Sequence, residues 1–183
     1  MQLILRGELT QGELDEIGPE AMNKIQQTQE TIDHLLYWGN VQSVAPPTLS
    51  EVPLKGIVQE QLDRLRPARL EQKVEIEVSI EKELSVKSDP ERLRFVLKNL
   101  LGRSLQHTQE RKISIVSSVV EDRVNLSIEH TGCTKTHVDH HRSETELVMD
   151  FMTEMKGKLV IEDKEGATLI ALTLPRFSEV VLG

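Results

Sequence analysis

The sequence predicts an α+β protein in which a helical hairpin precedes an antiparallel-rich sheet that is covered on one face by helices. Two observations support this fold class. Segments that alternate apolar and polar residues occur in pairs, and segments with helical periodicity separate the pairs. A proline-rich stretch, residues 43–54, divides them from a helix-forming region at 10–42. The chain of 183 residues is long enough for one compact domain and a smaller element.

The amino-terminal region is predicted to form a helical hairpin with one short arm. Residues 2–6 have the pattern of the end of a first helix, and Thr10 with Glu13 has the spacing of a capping box that opens the second. A narrow apolar seam then has the spacing of helices that pair, at Ile25, Ile32, Leu35 and Leu36. Such a hairpin cannot bury its seam alone, so we expect a homodimer whose helices form a bundle.

The proline-rich stretch is predicted to be a linker that separates a unit at 1–46 from a unit at 47–183. Beyond it, residues 55–67 have the pattern of a helix. Val74 to Ile80 alternate as in a half-buried strand, and residues 84–88 are predicted to form a second, short strand.

Residues 89–108, DPERLRFVLKNLLGRSLQHT, have the signals of one complete helix. Asp89 can cap its first turn, and Pro90 suits the first helical position. An apolar stripe predicts the buried face, at Leu93, Val96, Leu97, Leu100, Leu101 and Ser104. Core packing does not explain the other edge, which carries Asn99, Arg103 and Gln106. These three residues are either solvated surface or the floor of a site.

The last third of the chain predicts two strand pairs around a third helix. The segments KISIVSSVV and DRVNLSIEH, at residues 112–120 and 122–130, alternate and are joined at Glu121 and Asp122, which indicates an antiparallel pair. A capping box at Ser143 and Glu146 opens a helix that ends at Gly157. The segments KLVIED and ATLIALTLP are predicted to form the closing hairpin.

Composition narrows the function classes. The net charge of −8, with both signs interspersed, argues against a nucleic-acid surface and favours a protein partner. No apolar run approaches the roughly 20 residues that a membrane span needs, and the opening MQLILRGEL is too short for a signal peptide. The single cysteine, Cys133, excludes an internal disulfide and agrees with a reducing compartment. We therefore expect a cytoplasmic protein.

The order of these elements resembles the catalytic core of two-component sensor histidine kinases over nearly the whole chain. The similar segments are the end of the second dimerisation helix, the N-box helix, the strand end that carries Asp-Thr-Gly-x-Gly, and the closing helix with its hairpin, at residues 35–42, 89–108, 127–134 and 146–175. The resemblance implies a partial dimerisation hairpin at 1–46, within a dimeric four-helix bundle. It implies a histidine-kinase ATPase-like domain at 47–183, an α/β sandwich of the GHKL or Bergerat type with a mixed, largely antiparallel sheet.

The resemblance also implies a pocket for ATP and magnesium, but its residues have changed. Arg103 stands where the N box supplies a magnesium-ligating asparagine. Magnesium requires oxygen ligands, whereas a guanidinium carries only hydrogen-bond donors. Direct pairing of Arg103 with phosphate would be a different binding mode.

The other pocket positions are mixed. Gln106 replaces the usual lysine, His130 replaces the aspartate that accepts a hydrogen bond from adenine, and Thr134 replaces a glycine. Asn99 and Gly132 still match the family. No Gly-x-Gly pair lies between His130 and the next helix, so the phosphate-wrapping lid is missing or shortened. We therefore expect no nucleotide cofactor.

The segment HTGCTKTHVDHH, residues 130–141, is unusually rich in metal-ligating residues. Zinc prefers tetrahedral nitrogen and sulfur donors, which four side chains here could supply: His130, Cys133, His137 and His140. Asp139 could add an oxygen ligand or orient an imidazole. The alternatives are a solvated loop in place of the lid and a loop that responds to pH.

Three functions stay open, of which the sequence favours the first. A dimeric docking or regulatory pseudokinase-like module would bind the receiver domain of a response regulator, or another signalling protein. Leu35, Tyr37 and Trp38 are candidates for that surface or for packing against the ATPase-like domain. The second is an active histidine kinase or ATPase with an atypical, magnesium-independent pocket. The third is a phosphotransfer protein whose phosphoacceptor histidine lies upstream, since His34 does not match the phosphoacceptor position.

Overall fold

The computed structural model describes residues 46–108, 110–131, 142–164 and 166–178, together with six isolated positions, 17, 18, 21, 24, 28 and 32. The chain divides into two compact units, Met1–Pro46 and Pro47–Gly183. The six isolated positions are helical and exposed. The rest of the predicted hairpin lies outside the described residues, so its role in dimerisation stays a prediction. None of the described helices is long and apolar enough to cross a membrane.

The described part of the second unit contains eleven elements, in the order β1 (Ser50–Pro53), α1 (Leu54–Arg64), α2 (Arg66–Gln72), β2 (Glu75–Ser79), β3 (Ser85–Ser88), α3 (Pro90–His107), β4 (Lys112–Val120), β5 (Arg123–Thr131), α4 (Arg142–Glu154), β6 (Lys158–Lys164) and β7 (Ala167–Pro175).

Five strands form one mixed sheet in the order β2-β4-β5-β7-β6. The pair β2–β4 is parallel, and the other three pairs are antiparallel. Buried and half-buried residues alternate along β7 and along most of β5, so one face of the sheet packs against the helices. This arrangement confirms the predicted fold class of helices on one face of a largely antiparallel sheet.

Among the described residues, α3 contains more buried side chains than any other helix. The Asp89 carboxylate accepts hydrogen bonds from the backbone N–H groups of Glu91 and Arg92, at 3.0 and 3.1 Å, and so caps the helix as predicted. Its other oxygen accepts from the Thr48 backbone N–H at 3.0 Å. All six residues of the predicted stripe are at most 2% exposed. Burial of the five leucine and valine side chains contributes on the order of 10 kcal/mol before chain entropy is subtracted.

Helix α4 lies antiparallel to α3, and the end of α4 contacts the first turn of α3. Arg92 is buried, and its Nε lies 3.1 Å from the Glu154 carboxylate at the end of α4. Its guanidinium carbon lies 5.7 Å from the centre of the Phe151 ring, which in turn meets Phe95 edge-to-face at 5.3 Å. These contacts combine an ion pair, a cation–π contact and an aromatic pair.

The structure departs from the sequence predictions around the linker. Residues 50–53 are a strand, β1, which pairs antiparallel with β3 in a separate two-stranded sheet. The linker prediction is therefore wrong for these residues, because a four-residue strand is too short to show a periodicity. The predicted helix at 55–67 ends at Arg64, and α2 begins at Arg66. Pro67 has no N–H with which to continue the first helix, so that helix ends and a new one begins just before the proline, at Arg66.

Gly157 follows α4 at a point where no larger residue fits. Lys156 adopts a left-handed conformation with φ of 56°, and the Gly157 N–H donates to the Met152 carbonyl at 2.7 Å. A Cβ at Gly157 would lie 2.8 Å from both the Thr173 carbonyl oxygen and the Met152 methyl carbon. The chain therefore enters β6 against its neighbouring strand with no room for a side chain.

We predict that Gly157→Ala lowers the free energy of unfolding by about 1–3 kcal/mol, because backbone and core atoms must move. Gly102→Ala is the matched control, since a Cβ at Gly102 meets nothing within 4 Å inside α3. That control should be neutral or stabilise by up to about 1 kcal/mol. Urea unfolding followed by circular dichroism measures both. Equal stabilities of the two variants would contradict the packing at Gly157.

Candidate functional site

A narrow cleft opens between α3, α4 and β6. Its volume is about 10 Å³, close to the minimum that one water molecule needs. The walls are mainly apolar with polar groups from both helices, and the lining residues are Asn99, Leu100, Arg103, Thr145, Val148, Leu159 and Ile161. Two of the three polar residues singled out on the predicted helix, Asn99 and Arg103, thus share one cleft.

Arg103 spans this cleft. Its Nη1 donates to the Thr145 hydroxyl at 2.9 Å, which joins α3 to the first turns of α4. Arg103 is half-buried, and no carboxylate of the described residues pairs with it. The cleft therefore contains a cation whose partner is a neutral hydroxyl, an arrangement that disfavours a second cation.

The other two positions on this edge of α3 have different surroundings. The Asn99 amide nitrogen donates to the Phe95 carbonyl at 2.8 Å, so this donor is used within the helix. Gln106 is exposed and does not line the cleft. The structure therefore brings Asn99 and Arg103 together and leaves Gln106 on the surface.

His130 lies in a row of side chains that crosses one end of the sheet, in which Asp163 is half-buried and the others are buried. The strand registers place it between Ile113 and Thr168, and Thr168 in turn opposite Asp163. The Thr168 hydroxyl donates to the Asp163 carboxylate at 2.7 Å. His130 is 2% exposed, with Nδ1 3.3 Å from the Thr131 carbonyl. Its Nε2 is buried and has no hydrogen-bond partner in the described part of the chain.

Burial lowers the pKa of His130 below its ordinary value of 6.5, because an imidazolium loses hydration there. The Thr131 carbonyl and the Asp163 charge act in the opposite direction and are weaker. The imidazole is therefore neutral at neutral pH. When Nδ1 carries the proton that faces Thr131, Nε2 is an acceptor.

The remaining predicted site residues follow directly after this row. Gly132, Cys133, Thr134, His137 and His140 lie outside the described residues, so the zinc hypothesis and the lid stay predictions. Within the described ranges, no three His, Cys, Asp or Glu side chains form a metal-binding group.

Sequence reasoning missed Thr145, Asp163 and Thr168. A signal was present for two of them, because Thr168 and Asp163 occupy inward positions of strands whose other inward residues are apolar. A polar residue at such an inward position needs a hydrogen-bond partner on a neighbouring strand. Thr145 gives no such signal, since it is one of several polar residues at the start of a helix.

Solved structures share this architecture, whereas no protein-family model and no curated protein matches the chain. Histidine kinase AdeS of Acinetobacter baumannii has a TM-score of 0.73 and 18% identity over 95% of this chain and 90% of its own. The catalytic domain of histidine kinase ThkA has a TM-score of 0.61 and 20% identity over 70% of this chain and 96% of its own. The chain has the histidine-kinase fold.

A third structure with the histidine-kinase fold is full-length ShkA in complex with AMPPNP, with a TM-score of 0.62 and 19% identity. The match covers 86% of this chain and 39% of ShkA. The low identities establish the fold and leave the activity to be argued from this chain's own residues. In the resemblance noted above, α3 corresponds to the N-box helix and the end of β5 to the adenine side of the pocket.

We predict that this protein loses stability as the pH falls below about 6.5, in part through His130. The pKa of His130 is lower in the folded chain than in the unfolded chain, so the unfolded chain binds more protons in this range. Acid therefore favours unfolding. His130→Asn removes this contribution and should flatten the pH dependence of the free energy of unfolding between pH 7 and 5.

The measurement is urea unfolding at several pH values with EDTA present, which keeps metal ions out of the comparison. Identical pH dependence for the wild-type protein and His130→Asn would contradict the burial of a neutral imidazole.

Proposed function

We propose that this chain is a docking or regulatory module of a two-component signalling system, with the histidine-kinase fold but without magnesium-dependent ATP binding. Its partners would be a second copy, bound through the amino-terminal helices, and a receiver domain or another signalling protein. The observation that carries the proposal is Arg103, whose guanidinium crosses the cleft to Thr145 at 2.9 Å.

Electrostatics support this reading of the cleft. The resemblance assigns the position of Arg103 to a metal ligand, and a guanidinium has no lone pair to offer. A divalent ion about 4 Å from a guanidinium is repelled by roughly 8 kcal/mol at an effective dielectric constant of 20. The negative charges of a bound phosphate group could offset this repulsion. The metal ion would then be held without the usual coordination geometry. ShkA was determined with AMPPNP, so the fold itself is compatible with a nucleotide.

One observation favours a second candidate, an enzyme with an atypical pocket. The His130 Nε2 is buried with no partner among the described residues, and a buried acceptor of this kind is costly unless a donor meets it. An amino group of a bound nucleotide would be such a donor. Nucleotide titration separates the two candidates.

We predict no saturable binding of ATP or ADP at millimolar concentration, with or without magnesium, because the metal position is cationic and the Arg103 guanidinium is bonded across the cleft to Thr145. Isothermal calorimetry on the purified chain measures this. Arg103→Asn, which restores an oxygen ligand, is the comparison variant, and circular dichroism checks its fold. Micromolar binding by the wild-type chain would overturn the proposed loss of the site.

We predict that the chain is a dimer in solution, because the hairpin seam needs a partner to bury it. Ile25→Asp places a charge in this seam and should shift the molecular mass from that of a dimer toward that of a monomer. Gln27→Asp is the control, because a residue two positions from Ile25 lies on another side of a helix and outside the predicted seam. Light scattering after size-exclusion chromatography measures the mass. A monomeric wild-type chain would contradict the bundle.

A further inference from the structure

Two arginines of α3 hold α4 at its two ends. Arg92 and Arg103 are eleven residues apart, which is close to three helical turns, so both lie on the same side of the helix. Arg92 pairs with Glu154 at the end of α4, and Arg103 bonds Thr145 near its start. The contacts follow from the antiparallel packing of the two helices.

The two contacts, Arg92–Glu154 and Arg103–Thr145, differ in strength. The Arg92 side chain is 7% exposed and combines a carboxylate partner with the face of Phe151. Arg103 is half-buried, and in the part of the chain that the structure describes it makes one hydrogen bond, to a neutral hydroxyl. Charged partners and burial strengthen a hydrogen bond, so the Arg92–Glu154 contact is the stronger of these two.

We propose that the Arg103–Thr145 hydrogen bond is an intramolecular latch that holds the start of α4 over the cleft when no ligand is present. In a site that binds a ligand between two helices, the ligand joins them. Here the side chain of Arg103 makes that connection itself. The inference rests on the proposed function in taking the cleft to be free of magnesium nucleotide.

The cleft geometry fits a latch. Beneath the hydrogen bond lie apolar side chains of both helices and of β6, namely Leu100, Val148, Leu159 and Ile161. With the latch closed, the remaining space holds about one water molecule, Leu100 and Val148 are each 2% exposed, and Leu159 and Ile161 are half-buried. With the latch open, the start of α4 can move away from α3 while the Arg92 end stays attached. The latch therefore sets a local opening equilibrium that is separate from global unfolding.

Hydrogen exchange of the full chain, without nucleotide, tests the latch. The relevant amides are those of residues 146–150, because the first four N–H groups of a helix have no partner within it. Arg103→Ala and Thr145→Val should each speed their exchange about tenfold, the effect of losing a hydrogen bond to a charged group. Amides of β5 and β7 should exchange as in the wild-type protein.

The double variant makes the test specific. Thr145 takes part in a further interaction, so Thr145→Val alone can have more than one effect. If the latch is the shared cause, Arg103→Ala combined with Thr145→Val speeds exchange much less than the product of the two single effects. Thr145→Ser keeps the hydroxyl and should exchange like the wild-type protein. Lys98→Ala removes a charge from the exposed face of α3 and should have no effect on residues 146–150.

Unchanged exchange at residues 146–150 in Arg103→Ala, or multiplicative effects in the double variant, would overturn the latch. If Arg103→Ala does not fold, the comparison of Thr145→Val with Thr145→Ser decides, and equal exchange in that pair overturns the latch as well. These outcomes are independent of the calorimetric titration. The proposed function fails if the wild-type chain binds magnesium nucleotide, and the latch fails if the exchange does not respond.

Discussion

The burial of α3 is the constraint on which the rest of this domain depends. Its apolar stripe is almost fully removed from water, so the helix has no freedom to rotate on the sheet. Every residue on its edges therefore has a fixed direction. Arg92 and Arg103 face α4 for this reason, and Asp89 connects the start of the helix to the incoming chain at Thr48. The position of α4, and with it the cleft, follows from the rotation of α3.

The chemistry of the cleft follows from one side-chain type. An asparagine at the Arg103 position would present an oxygen to a metal ion, whereas the arginine presents donors and a positive charge. That charge bonds the neighbouring helix in the closed cleft. ShkA has this fold and was determined with AMPPNP, and in this chain the same fold has a hydrogen bond across the cleft. Chemistry at such a site depends on individual side chains rather than on the shared backbone geometry.

The row of Ile113, His130, Thr168 and Asp163 shows how polar groups are kept in the apolar face of the sheet. Thr168 and Asp163 satisfy each other across two strands, whereas His130 uses only its Nδ1 among the described residues. A buried imidazole with one unused nitrogen has a lowered pKa and ties stability to pH. This nitrogen lies at the end of β5, on the first residue of the histidine-rich segment at 130–141.

The sequence alone determined the elements with strong periodicity. Helix α3, its cap, its buried stripe and the two strand pairs were all predictable, because amphipathic patterns of this length are set by local spacing. Tertiary structure decided what depends on residues distant in the chain. Ser50–Pro53 became a strand only by pairing with β3, and Arg103 acquired Thr145 as a partner only when α4 packed against α3. Asp163 and Thr168 met His130 through strand register. Such contacts carry no local pattern, since the partners are brought together by the burial of apolar faces elsewhere in the chain.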